Sequence, residues 1–421
     1  MGRRITSATS LPGGAAEGLR ETMRILMFSW EYPPYVVGGL GKHVAELLPP
    51  LSRLPDVDLH LITPRHRGGP PVEQVGPATV HRVDPPDTAE DDFYTTAWKT
   101  NLHLEEYAHR LWRETGPFDL IHVHDWLVAF VGAALKRDYR TPLLSTIHAT
   151  EKGRGRGTLA TDQARAIHQV EWWLTFESWR VIACSQYMAR EIADYFQCPT
   201  DKIDIIPNGV DPTRFDRLEG LDLGHFRNRY ALPFEQIIFS VGRIVREKGL
   251  HVLVRAMPLV LARHPTAKAV IAGKGPELEP LRSLAWELGV GEKVLFTGFI
   301  SDEDRDRLFK IADVAVFPSL YEPFGIVALE AMAARCPVVV SEVGGLKDVV
   351  RHAETGITVY PDNVESLTWG ILHTLQHPQW AAARVENAYR MVREVYNWER
   401  IARMTADVYR RIIAERATVR W

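Results

Sequence analysis

Only three cysteines occur in this 421-residue chain: Cys184, Cys198 and Cys336. Their odd number, wide separation and lack of paired ligand spacing argue against a disulfide framework or a zinc knuckle. Free thiols in a reducing cytoplasm are expected. Net charge is nearly absent, since 50 Lys and Arg against 53 Asp and Glu leave −3, which provides no basic footprint for nucleic acid. No apolar run approaches the roughly 18 residues a bilayer span needs, so no transmembrane segment is expected. Walker A and GxSxG patterns are missing, as are short-period repeats and low-complexity tracts. The triplets Asp56–Asp58 and Asp302–Asp304 lack histidine or carboxylate partners at useful spacing, and no metal site is expected.

What remains is a globular composition, 46% hydrophobic and 24% charged, in a chain too long for one ordinary core. Residues 1–22 are small, polar and basic without an apolar stretch, which predicts a disordered leader rather than a signal peptide. From Met23, short apolar runs alternate with helical stretches. Strands are expected at 24–29, 57–63, 120–124, 143–148, 180–185 and 203–207. After a lapse into charge and glycine near 216–235, further strands are expected at 236–242, 267–273, 293–298, 314–319, 337–344 and 356–360. Continuous apolar strands separated by helices predict parallel sheets covered on both faces. The fold class is therefore α/β, with two Rossmann-like doubly wound domains at 23–217 and 236–396 and ligands at the strands' carboxyl ends. One large sheet is the alternative, and the break near 216–235 counts against it. Residues 397–421 predict an amphipathic helix able to brace one domain against the other.

The polar residues that stand out follow strands. In SLYEPFGIVALEAMA (319–333), Pro323 keeps Glu322 in a loop, and Gly325 opens a helix that carries Glu330 about a turn and a half inside. The amides of Gly325, Ile326 and Val327 are suited to phosphate, and the two carboxylates to sugar hydroxyls. The plain alternative is a capping carboxylate at 322 and an exposed helix glutamate at 330. In SVGRIVREKG, Arg243 and Lys248 are placed to neutralise a diphosphate, unless they are simply solvated. Gly38, Gly39 and Gly41 precede a helix whose amides could face another phosphate, the plain alternative being a tight strand-to-helix turn. The helix should end early at Pro49 and Pro50. His124, Asp125 and His148 each close a strand and would converge on one cleft, although a lone histidine is often structural. KGRGRG (152–157) reads as a mobile lid or a flexible basic loop.

Together these residues resemble the retaining glycosyltransferases of the GT-B fold, family 4, over nearly the whole chain after Met23. The E-x7-E pair Glu322 and Glu330, the R-x4-K pair Arg243 and Lys248, GGLG, His148 and SEVGGLKDVV carry the resemblance. It implies a cleft between two domains that binds a nucleotide-sugar. Diphosphate contacts would come from Arg243, Lys248 and the amides of Gly325, Ile326 and Val327, with Gly39 closing from the other domain. The ribose would fall to Glu330, and the donor sugar to Glu322 and His148. It also implies metal independence, no cofactor, and a C-terminal helix crossing back to the first domain.

Within the family, SWEYPPYVVGGLGKHVAEL, HVHDW, STIHATEKGRGRG, VEWWLTFESWRVIACS and IIPNGVD look like the glycogen synthases. That likeness implies ADP-glucose or UDP-glucose as donor and an α-1,4-glucan as acceptor, with His124, Asp125 and Asn208 on the acceptor or sugar side. Val36 and Val37 replace the lysine that bacterial glycogen synthases carry before GGL, which leaves the donor base open. With Glu322 committed to hydroxyls, no nucleophile stands out, and a front-face reaction is expected. The alternatives are transfer to a small acceptor such as glucose 1-phosphate, a nucleotide-sugar epimerase, and a non-catalytic nucleotide-sugar binder.

Overall fold

The computed structural model describes residues 22–419, so the expected leader lies outside the described residues apart from residue 22. The first sheet has eight strands: β1 (Met23–Phe28), β2 (Val57–Pro64), β3 (Val72–Val75), β4 (Ala78–Val83), β5 (Leu120–His124), β6 (Leu143–Ile147), β7 (Arg180–Ala183) and β8 (Ile203–Ile205). Their order is β3-β4-β2-β1-β5-β6-β7-β8. The second has six: β9 (Gln236–Val241), β10 (Ala267–Ala272), β11 (Val294–Gly298), β12 (Val314–Phe317), β13 (Val338–Ser341) and β14 (Ile357–Val359), ordered β11-β10-β9-β12-β13-β14. All pairings are parallel except β3 with β4. Both sheets reverse strand order beside their first strand, β1 or β9, and so open a crevice for ligand at the carboxyl ends.

The central strands are apolar on both faces because helices cover both. Ile25 of β1 lies opposite Leu59 on one side and Leu120 on the other, and all three are buried. One core is continuous across both sheets, joining Phe28 and Val123 to Phe239, Phe317 and Phe324. The twelve expected strands are present, with ends shifted by up to three residues. The missed pair, β3 and β4, forms a short antiparallel edge. VEQV is half exposed, and ATVHRV puts polar residues into a strand that is mostly buried, so neither reads as a continuous apolar run.

The helix after GGLG runs Gly39–Ser52 and does not stop early. Pro49 and Pro50 sit in its last turns and do not end it. The Arg53 amide still donates to the Pro49 carbonyl at 3.3 Å.

The C-terminal helix Trp398–Thr418 crosses back to the first sheet. Ile401, Thr405, Val408, Tyr409 and Ile412 form its buried stripe, at the spacing of one helix face. The Trp398 indole donates to Glu46 at 2.5 Å, and Arg410 pairs with Asp56 at 2.8 Å. The Tyr409 hydroxyl lies 2.8 Å from Nδ1 of His122 on β5, and both residues are fully buried. Tyr409→Phe should cost about 1–3 kcal/mol, because it leaves a buried ring nitrogen without its partner. A urea-unfolding midpoint indistinguishable from wild type would show that this contact carries no stability.

Candidate functional site

The loops after β9 and β12 are stitched together by backbone. The amides of Leu320 and Tyr321 donate to the Glu247 carbonyl at 2.7 and 3.3 Å. Gly249 (φ 64°) lets the two loops touch, since a Cβ there would run into the Pro318 carbonyl oxygen. The result sets the Lys248 ammonium 2.6 Å from Glu322, and Arg243, Ser319 and Val327 line the same small hollow. Arg243 is half exposed, and the ion pair it makes is a loose one of 3.5 Å with Glu247. Its guanidinium is thus free to form a bidentate fork on an arriving anion.

Glu322 is buried at 8% exposure, in the loop expected for it. Its carbonyl accepts from the Gly345 amide at 2.9 Å. Gly344 (φ 51°) crowds the same carbonyl so closely that a Cβ would collide with it, which gives SEVGGLKDVV a physical role. Gly325 (φ 104°) caps the helix Ile326–Ala333. The first-turn amides of a helix have no intrahelical acceptors and carry the positive end of its dipole. Gly39 approaches this helix start from the other domain, its missing Cβ position 3.5 Å from Ile326 Cδ1. Arg243, Lys248, Glu322 and Val327 are therefore brought together, and Gly39 closes on Ile326 beside them.

Glu330 lies in a buried ion network. It is 1% exposed, so it is not the exposed helix glutamate of the plain alternative. Its carboxylate is held by Lys42 and by Arg214 at 2.8 Å, with Arg305 at 3.4 Å and Asp306 completing the network through Arg214 at 3.1 Å. Lys42 belongs to the first domain, so this network joins the two domains. Burial lowers the Lys42 ammonium to about 7, and taking a cation away from this buried carboxylate would leave an uncompensated charge. The phosphate expected at GGLG is pre-empted in part. Glu31 accepts the amides of Val37 and Gly38 at 2.7 and 3.0 Å, and Gly39 and Gly41 lie inside the helix rather than before it.

On the first domain, His124, Asp125 and His148 do converge. His124 Nδ1 lies 3.0 Å from His148 Nε2, and Asp125 accepts the His148 amide at 2.6 Å. His124 is fully buried, however, so it orients His148 and cannot itself meet an acceptor. The cause is strand alternation, which turns His122 and His124 to the same face, against the crossover helix side. Asn208 is buried too and spends its amide oxygen on His43 Nδ1 at 2.5 Å. Burial keeps these imidazoles neutral. It brings His43 down to about 4 and puts His124 and His148 well below the usual histidine range. The same burial pushes the Asp125 carboxyl up to about 7. Asp125 also sits at φ 61°, a left-handed conformation that costs a non-glycine residue on the order of 1–3 kcal/mol.

His148 reaches the Glu322 side through two residues of chain. The Thr150 amide is 3.5 Å from the Tyr321 hydroxyl, and Ser185 donates to the Pro323 carbonyl at 2.7 Å. The loop that carries Glu322 is thus gripped from both domains. KGRGRG is ordered at its start, as the short helix Glu151–Arg154 capped by Thr150.

Three residues of this region escaped sequence reading: Glu31, Lys42 and His43. The last two stand inside GGLGKHV, but attention to its glycines hid them. The expectation of no metal site rested on spacing along the chain. In space, ring nitrogens of His43, His124 and His148 lie within 4.8 Å of one another and could hold a metal ion. His43 Nδ1 already serves Asn208, and His124 Nδ1 and His148 Nε2 serve each other. The DxD carboxylates are paired with arginine, Asp58 with Arg24 at 3.0 Å and Asp302 with Arg305 at 2.7 Å. All three cysteines are buried free thiols.

Comparison with known proteins bears on this geometry. The model described as "Glycosyltransferase Family 4" matches residues 37–214, and that described as "Glycosyl transferases group 1" matches 226–391. An uncharacterized glycosyltransferase of Methanocaldococcus jannaschii is 42% identical over 390 residues, covering 92% of this chain and 98% of its own. A glycogen synthase of Mycobacterium tuberculosis is 35% identical over 403 residues, covering 92% and 94%. Among solved structures, a sucrose-phosphate synthase from Thermosynechococcus elongatus superposes with a TM-score of 0.78 at 26% identity, covering 93% of this chain and all of that one.

Proposed function

The chain belongs to glycosyltransferase family 4, with the GT-B fold, and from that premise we propose that it moves glucose from ADP-glucose or UDP-glucose to an α-1,4-glucan with retention of configuration. The observation that supports this best is the cluster of Arg243, Lys248 and Glu322 around one hollow at the start of the helix Ile326–Ala333. In this reading the diphosphate lies between the Arg243 fork, the Lys248 ammonium and the helix amides of Gly325 to Val327, with Gly39 above them. Charge developing on the leaving diphosphate is met by groups already oriented for it. Glu322, shared with Lys248, accepts hydroxyls of the transferred glucose, and His148 receives the sugar from the first domain. Asp125 and His124 set the position of His148, and Asn208 sets that of His43. Glu330 reaches a ribose only if Lys42 withdraws from it, so its part is coupled to how the domains close. Attack from the face of the departing phosphate needs no protein nucleophile, in keeping with an already paired Glu322.

Product analysis tests the reading. The protein is incubated with ADP-glucose or UDP-glucose, each with glycogen, with glucose 1-phosphate, and alone, in the presence of a chelator. Glucan elongation is expected with one donor, and Glu322→Ala should abolish it. Transfer only to glucose 1-phosphate, or conversion of the donor alone, would overturn the glucan assignment and leave family membership standing.

A further inference from the structure

At the open edge of the second sheet, beyond the carboxyl ends of β13 and β14, lies a run of aromatic rings that the proposed chemistry does not use. Tyr360, Trp369 and Trp380 are 68%, 47% and 57% exposed. Trp369 stacks on His373 at 5.1 Å with 23° between planes, and Trp380 on His377 at 4.4 Å with 29°. His373 meets Trp380 at 5.5 Å, and His352 continues the series beside Trp369 at 6.3 Å. Single exposed aromatics are ordinary, but rings steadied in a row by one another form a patch that asks for an occupant. A hollow of about 700 Å³ opens against this row, with Glu342, Asn363 and Ser366 on its polar side.

We propose that this row is a second binding site for the acceptor, holding an α-glucan chain by its outer residues while its end is in the cleft; the proposal rests on the glucan reading given above. Glucose rings have an apolar C–H face and an equatorial rim of hydroxyls. The exposed rings of Trp369 and Tyr360 suit the former, and the carboxylate, amide and hydroxyl at the rim suit the latter. Nucleic acid is disfavoured, because the charged groups lining the hollow, Glu342 and Glu365, are acidic. Proximity to the Glu322 loop points to the acceptor. Glu342 also borders a neighbouring hollow of about 330 Å³, lined by Tyr187, Tyr321 and Gly344. Tyr321 precedes Glu322 in the chain, and Gly344 touches its carbonyl. Glu342 thus links the outer hollow to one that lies against the backbone of the Glu322 loop.

The test uses the full chain, with Trp369→Ala, Tyr360→Ala and the double variant, all at exposed positions and checked for folding by circular dichroism. Migration through gels containing glycogen gives an affinity without donor, and turnover is followed with glycogen and with maltotriose, which is too short to span both sites. Wild type should be retarded by glycogen, and Trp369→Ala should weaken that affinity about tenfold. Turnover on maltotriose should be unchanged. Equal retardation of wild type and double variant, with glucan elongation intact, would overturn the proposal and spare the glucan reading. Retardation lost in the variants, while wild type elongates no glucan, would sustain the site and overturn that reading. Absence of retardation, with a wild-type dimer that Trp369→Ala converts to monomer by light scattering, would make the row a contact between copies and overturn the proposal.

Discussion

Replacing Arg243 by alanine is expected to lower kcat by about 10²–10³-fold, the size seen when one preorganised donor to a developing anion is removed. The two basic residues of the pair should nevertheless behave differently. Arg243 is half exposed and loosely paired, so its loss should leave stability within about 0.5 kcal/mol of wild type. Lys248 is the 2.6 Å partner of Glu322, whose side chain is only 11% exposed. Lys248→Ala leaves that carboxylate buried without its cation, and should add a stability loss of about 3–5 kcal/mol to the loss of turnover. Arg243→Lys keeps the charge but not the planar fork, and should fall between wild type and alanine. Steady-state kinetics, nucleoside diphosphate titration and urea unfolding separate these effects. An Arg243→Ala enzyme within threefold of wild-type kcat would remove the diphosphate role from this residue.

Much of this arrangement was legible along the chain, and what was not has physical causes. Continuous apolar strands such as VAVF and VVVS announced buried parallel sheets, and a proline and a glycine placed Glu322 and Glu330 at different depths around one helix start. Both signals are local. The fate of Glu330 was not local, because it depends on Lys42 and Arg214, 288 and 116 positions away, both arriving from the first domain. Likewise, HVHDW shows two histidines on one face of a strand, but not that Tyr409, from the last helix, completes His122. The aromatic row was also invisible in sequence. His352, Trp369 and Trp380 come from a loop and two successive helices and meet only at the sheet edge.

Asp125→Asn is expected to stabilise the protein while impairing it. Burial is the main reason that the Asp125 carboxyl titrates near 7 instead of its ordinary 3.8. Glu171 and Glu31 push in the same direction, and Arg154 and the His148 amide oppose them. A group whose folded pKa is raised favours folding most below its unfolded pKa, and that contribution drains away as pH rises through the folded value. Wild type therefore loses stability between about pH 4 and pH 7 on account of this residue, and nothing further above. Asparagine does not titrate, yet its amide oxygen can still accept from the His148 amide. The variant's advantage should accordingly grow up to about pH 7 and then level off, at a size on the order of 2–4 kcal/mol. Thermal midpoints of both proteins from pH 5 to 8.5 give the curve directly. A protein that keeps a buried carboxylate at φ 61° against this cost has a use for its charge beside His148. Turnover of the variant should thus fall roughly tenfold or more at pH 8, where the wild-type group is ionised. A difference in midpoint that does not change with pH would show that Asp125 is ionised throughout the range. Full activity in the more stable variant would show that the acceptor side makes no use of that charge.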